Sequence, residues 1–119
     1  MGRLGIDFRE TGLFVNKLKQ MKGIKIEGLF FHLTSADEQD TLFTQTQIKN
    51  FKEAISVSRR IGVELSMNSL ANSAGIIRYK EAHCDIIRSG IILYGGLPCP
   101  DFANPPPLQR KKIKLHLTI

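Results

Sequence analysis

Residues 24–33 read Ile-Lys-Ile-Glu-Gly-Leu-Phe-Phe-His-Leu. Ile24 and Ile26 alternate with Lys25 and Glu27, and from Gly28 onward the run is apolar except at His32. Alternation marks a strand with one wet face, whereas a continuous apolar run marks one buried on both faces. The segment therefore predicts a strand that passes from the edge of the fold into its interior. Its β-branched and aromatic residues favour a strand over a helix.

The chain on either side completes the pattern. Upstream, Leu13, Phe14, Leu18 and Met21 share one face at helical spacing, which predicts a helix over residues 10–21 that Gly23 ends. Downstream, residues 34–42 form a polar loop. Thr44 with Gln47 makes a capping box, and Phe43 and Ile48 are spaced for a hydrophobic staple. Ile48, Phe51 and Ile55 continue that helix until Gly62 stops it. Val63–Met67 predicts a second short strand, followed by a polar turn at Asn68-Ser69 and a short helix opening at Asn72-Ser73-Ala74-Gly75. Residues 84–93, CDIIRSGIIL, read as a third strand interrupted by Arg88, Ser89 and Gly90. Beyond it, residues 98–108 are a proline-rich connection, and residues 112–119 alternate charged and apolar side chains like an edge strand.

Strands alternating with helices imply an α/β fold with a parallel sheet. With 119 residues there is room for one ordinary domain. A closed eight-stranded barrel of this type needs ~200 residues or more. The expectation is half a barrel or a small open sheet, and the unpaired last strand suggests a piece of a longer protein.

Composition excludes several classes. Hydrophobic residues are 42% and charged residues 24%, as in a soluble globular protein. No apolar run reaches the ~18 residues of a membrane span, and MGRLGIDFRE lacks the apolar core of a secretory signal. Cys84 and Cys99 cannot make a disulfide framework or a structural zinc site, so a reducing cytoplasm is the expected compartment. The net charge is +6, but Arg110, Lys111, Lys112 and Lys114 supply four of those charges in the last ten residues. That distribution reads as a solvated tail and not as a nucleic-acid surface.

Four polar clusters lie at strand ends, where α/β enzymes place their chemistry. Arg3 stands between Gly2 and Gly5, where glycines permit close approach and the guanidinium can meet an anion. His32 closes the first strand, either as a core histidine bonded to a neighbour or as a ring beside a planar ligand. Asn72 and Ser73 open a helix, either as a plain cap or as an anion site. Arg88, inside DIIRSGIIL, must find an acceptor or emerge at the strand end, and Gly90 permits a ligand to approach there. Asp37, Glu38 and Asp40 lack metal-site spacing and read as turn residues, and no metal is expected.

Taken in order, MGRLGI, GLFFHLTSADEQD with FTQTQIKNF, ANSAGI and DIIRSGIILYG resemble the alanine racemase family of fold-type III pyridoxal phosphate enzymes. Ser89 departs from the proline usual there. The resemblance implies a partial (β/α)8 barrel of the TIM type over residues 1–97, with residues 98–119 a linker and first strand leading to a C-terminal β-domain. It implies pyridoxal 5'-phosphate as cofactor, alanine as substrate, a homodimer of the full-length enzyme, and an isomerase supplying D-alanine for peptidoglycan. By match of position, Arg3 would contact the cofactor's phenolic oxygen and the substrate carboxylate. His32 would stand beside the cofactor ring, and Asn72 would support it. Ser73 and the N–H groups of Gly90 and Ile91 would hold the phosphate, and Arg88 would meet the pyridine nitrogen. The family's Schiff-base lysine and opposite-face tyrosine have no match here, since neither Tyr79 nor Tyr94 lies in the corresponding motif. The chain alone is therefore expected to be inactive. Two other readings remain: a non-catalytic pyridoxal phosphate-binding barrel, and an interaction module working through the basic tail.

Overall fold

The computed structural model describes residues 4–98. Three α-helices carry the chain: α1 (Thr11–Lys19), α2 (Leu42–Arg60) and α3 (Ser73–Arg78). Short 3₁₀ turns occupy Phe8–Glu10, Lys80–Ala82 and Gly90–Tyr94. Between the helices run three extended segments, residues 27–31, 66–71 and 86–88, which touch through parallel bridges Phe30–Ser69 and Ser69–Ile86. Ser69 is the common residue, so the middle segment in space is also the middle one in sequence. The expected proline-rich connection past Pro98 and the alternating edge strand lie outside the described residues.

The predicted strands are corrected in three places. No continuous strand forms among the described residues, and pairing is confined to those bridges. The cause lies between the first two segments. Met67 and Ser69 donate in one register to the Glu27 and Leu29 carbonyls, at 3.0 and 2.9 Å, but the Leu29 N–H that would return to the Met67 carbonyl is taken by Asn68 Oδ1 at 3.1 Å, so the ladder loses a rung. Gly28 allows this: a Cβ there would lie 2.1 Å from the Met67 carbonyl oxygen. The second strand was expected to end at Met67, yet pairing centres on Ser69, beyond the supposed turn. The third, expected through Leu93, stops before Gly90, whose φ of +45° breaks the extended path and starts the 3₁₀ turn.

Two helix readings also change. α2 begins at Leu42, earlier than the Thr44 capping box requires. The Asp40 carboxylate accepts from the Leu42 N–H at 2.9 Å and so satisfies the first turn. Thr44 is then carried into the interior, fully buried, and Gln47 bonds instead with Thr34. Phe43 is left exposed, while Ile48 and Phe51 are buried as their spacing required. In α1 the buried positions are Thr11 and Val15, with Leu18 half-buried, and Leu13, Phe14 and Met21 face outward. The helix is turned because Val15 packs with Val63 and Leu65.

The main core lies between α2, α3 and the extended segments. Leu33, Ala36, Leu70, Ala71 and Ala82 are essentially inaccessible and pack with Ile48, Phe51, Ala74 and Tyr79. Phe31 adds a tilted ring contact to Phe51, with centroids 6.3 Å apart. The small residues of ANSAG serve this core: Gly75 sits where a Cβ would come within 3.0 Å of Leu33. Packing of α3 against the first segment therefore sets the distance between the polar groups at the segments' C-terminal ends. No described helix is long and apolar enough to cross a membrane.

Candidate functional site

In parallel extended segments, bridged residues project to the same face and so do residues two positions on. The bridges through Ser69 place Phe30, Ser69 and Ile86 on one face, and His32, Ala71 and Arg88 follow them at a spacing of two. Arg88 donates its backbone N–H to the Ala71 carbonyl at 3.0 Å, one residue past the Leu70 carbonyl that the Ile86-to-Asn68 bond would put in register, yet its guanidinium still reaches Ser69, Phe30 and His32. The face that carries His32 thus also carries Arg88, although 56 positions separate them.

Arg88 is half-buried, and its side chain leans back across the middle segment to the first. Nη1 donates to the Ser69 hydroxyl at 2.7 Å. Nη2 donates to the Phe31 carbonyl at 2.8 Å, with the Leu70 carbonyl at 3.4 Å and His32 Nδ1 at 3.5 Å. Its Cζ lies 4.3 Å from the centre of the Phe30 ring, a cation–π contact. Each of these acceptors is formally neutral in these contacts. A guanidinium only donates, so His32 faces it with the Nδ1 lone pair. Burial pushes the Arg88 pKa down from the usual arginine value, as expected for a cation moved away from water without a carboxylate beside it.

The other expected residues gather at the same end. Asn72 is the N-cap of α3: its Oδ1 accepts from the Gly75 N–H at 2.9 Å. Its Nδ2 donates to the Leu33 carbonyl at 2.8 Å, which ties the cap to the residue after His32. Ser73 is buried, and its hydroxyl donates to the Ser89 carbonyl, next to Arg88. A Cβ at Gly90 would stand 3.0 Å from Ser73 Oγ, so only glycine keeps that oxygen clear. Gly90 and Ile91 open the 3₁₀ turn, where their N–H groups have no acceptor within it. Ile91 is exposed. His32, Asn72, Ser73, Arg88, Gly90 and Ile91 are thus brought to one end of the three segments. Arg3 lies outside the described residues.

Residues 1–98 match the family described as alanine racemase, N-terminal domain. The chain belongs to that family. It is 44% identical over 112 residues to the alanine racemase of Geobacter sp. strain M21, covering 92% of this chain and 30% of that protein. It is 40% identical over 119 residues to the alanine racemase of Carboxydothermus hydrogenoformans, covering all of this chain and 31% of that one. Among solved structures, alanine racemase from Clostridium difficile 630 superposes with a TM-score of 0.76 at 30% identity, covering 85% of this chain and 27% of that one. Alanine racemase from Bacillus anthracis with bound L-Ala-P superposes at 0.75 and 31% identity, covering 86% and 27%. The chain therefore spans about three-tenths of the length of the alanine racemases it matches.

Sequence reasoning missed two groups that hold this part of the alanine racemase family's domain together. Ser69 and Phe30 receive Arg88, and the period-two spacing to Ala71 and His32 was the signal for both. Beside Ser69 in the middle segment, Asn68 forms a tie with Asp85, the residue before the third segment. Asn68 donates to Asp85 through its backbone N–H at 2.8 Å and its Nδ2 at 2.9 Å, and its Oδ1 accepts from the Leu29 N–H at 3.1 Å. The backbone N–H and then the amide hold the Asp85 carboxyl below its usual range. Read in sequence, Asn68 had only the signature of a turn.

Proposed function

We propose that this chain forms the cofactor-facing part of an alanine racemase that interconverts L- and D-alanine with pyridoxal 5'-phosphate. Its three segments and their helices then form part of a (β/α)8 barrel. The observation that carries this reading is Arg88: a half-buried cation met by neutral acceptors, at the same end as Ser73 and Gly90.

The residues present fit the cofactor. An uncompensated guanidinium favours an electron-rich acceptor, which a pyridine nitrogen is. The Gly90 and Ile91 N–H groups offer donors suited to a phosphate, the Ser73 hydroxyl would join them by turning from the Ser89 carbonyl, and the missing Cβ at Gly90 leaves room beside Ser73. When bound, the cofactor supplies an electron-withdrawing system that makes the α-proton of an amino acid acidic. Arg88 would donate toward the ring nitrogen and keep its own proton, because a guanidinium stays protonated at any working pH. His32 would stand beside the ring, with the residue after it, Leu33, tied to Asn72. By the family resemblance, Arg3 would meet the cofactor's phenolic oxygen and the substrate carboxylate.

Removing and returning the α-proton needs a lysine and a tyrosine on opposite faces. The family's positions for them have no match in the 119 residues, so other parts of a homodimeric, cytoplasmic enzyme supply them and release D-alanine for peptidoglycan.

Two measurements test this. Titration of the chain with pyridoxal 5'-phosphate should show saturable binding, competed by inorganic phosphate and weakened about tenfold by Arg88→Ala. A coupled assay with pyridoxal 5'-phosphate and L-alanine should show no turnover above free cofactor. Turnover by the purified chain, or binding indifferent to Arg88, would overturn the reading.

A further inference from the structure

Ser69 lies in the middle segment and is bonded to both of the others. Its backbone N–H donates to the Leu29 carbonyl at 2.9 Å, and its carbonyl accepts from the Phe31 N–H at 3.0 Å. Its hydroxyl accepts from Arg88 Nη1 at 2.7 Å. It is buried, so the hydroxyl cannot easily trade Arg88 for water. On one side of it stands Phe30, whose ring lies under the guanidinium, and on the other stands the segment that carries Arg88.

We infer that Ser69 is a positioning residue: with the Phe31 carbonyl and the Phe30 ring it clamps the Arg88 guanidinium in one orientation and leaves its charge intact. Two features support a clamp. The contacts fix the group from independent directions, with an acceptor at Nη1, an acceptor at Nη2 and a π-face at Cζ. A planar fork held at both terminal nitrogens loses its rotation, and its remaining N–H groups keep a set direction. The choice of a hydroxyl also matters. A carboxylate at position 69 would hold the arginine at least as firmly but would cancel its charge, and a ring nitrogen would then meet a weaker donor. A neutral acceptor supplies orientation without neutralisation. The neighbouring asparagine–aspartate tie shows the contrast, because there the buried amide does meet a carboxylate.

The inference rests on the proposed role of Arg88 toward the cofactor, but its first test does not. In the chain labelled with ¹⁵N-arginine, with Arg88→Lys used for assignment, the Arg88 Nη protons should give separate, slowly exchanging signals. Ser69→Ala should merge them and speed their exchange at least about fivefold, the loss expected for one hydrogen bond to a charged group. Ser69→Thr, which keeps the hydroxyl, should behave as the parent, and Ser69→Cys, which keeps the volume with a weak acceptor, should behave as alanine does. These two variants decide the matter even where Ser69→Ala loses the fold.

The second arm is titration with pyridoxal 5'-phosphate, which Ser69→Ala and Ser69→Cys should weaken by about five- to tenfold and Ser69→Thr should leave unchanged. Arg88 signals already averaged in the parent, or unmoved by both Ser69→Ala and Ser69→Cys, would overturn the clamp. Signals freed by those variants with cofactor binding unchanged in Arg88→Ala would support the clamp and overturn the cofactor role of Arg88.

Discussion

Asn68→Ala removes the amide that joins the middle segment to Leu29 in the first and to Asp85, just before the third. Asn68 is 2% exposed, so water cannot replace what the amide does. In the parent the amide accepts from the Leu29 N–H, donates to Asp85, and makes a longer contact of 3.4 Å to the Leu65 carbonyl. Alanine leaves the Leu29 N–H with no acceptor in a part-buried position. An orphaned buried polar group costs about 1–3 kcal/mol, so about 2 kcal/mol is expected from this loss. For a small domain with a urea slope of about 1.3 kcal/mol per molar, the midpoint should fall by about 1.5 M.

The pH dependence gives a separate signature. Asp85 has its folded pKa below the ordinary 3.8 because the Asn68 backbone N–H, and then its amide, favour the carboxylate. A depressed acid contributes stability above its unfolded pKa and loses it as pH falls through the folded value. Only the amide is lost in Asn68→Ala, so the deficit should be greatest above about pH 4 and should shrink below it. Urea titrations followed by far-ultraviolet circular dichroism near pH 6 and pH 3 measure both effects. A midpoint shift under about 0.3 M near pH 6 would refute the claim that this amide holds the segments together.

Gly28→Ala should be more damaging than its size suggests. Its Cβ would meet the Met67 carbonyl and force the first two segments apart, lowering the thermal midpoint by an amount equivalent to about 1–3 kcal/mol or more. Leu70→Ala should cost about 2–5 kcal/mol in a denaturant melt because Leu70 is fully buried. Leu13→Ala should stay within about 0.5 kcal/mol because Leu13 is 75% exposed. Equal effects at the two leucines would mean that the turned face of α1 is misassigned.

The helical register of α2, the stop at Gly62 and the cap at Asn72 were legible because they depend on residues within one or two turns. The same locality explains the errors. Thr44 and Gln47 satisfy every local rule for a capping box, yet Asp40 supplies a carboxylate two residues before the first helical N–H, and Gln47 finds Thr34 across the loop. The spacing of Leu13, Phe14, Leu18 and Met21 identifies a helix, but which face is buried depends on where Val63 and Leu65 arrive. The apolar run through Leu93 predicts a strand as far as periodicity reaches, and one positive φ at Gly90 ends it.

By itself, the sequence determined the alternation of helices and extended segments, the presence of an arginine too costly to bury alone, and four motifs whose order matches one enzyme family. Local hydrogen-bond chemistry and side-chain period carry that information, and both act over a few residues. Tertiary structure decided that Ser69 is a meeting point of the three segments, that Phe30 lies under Arg88, and that Asn68 beside it meets Asp85. Those contacts join residues 17 to 58 positions apart. Their partners are chosen by the register of parallel segments, and that register is set when α2 and α3 pack onto them, with Gly28 and Gly75 allowing the close approach.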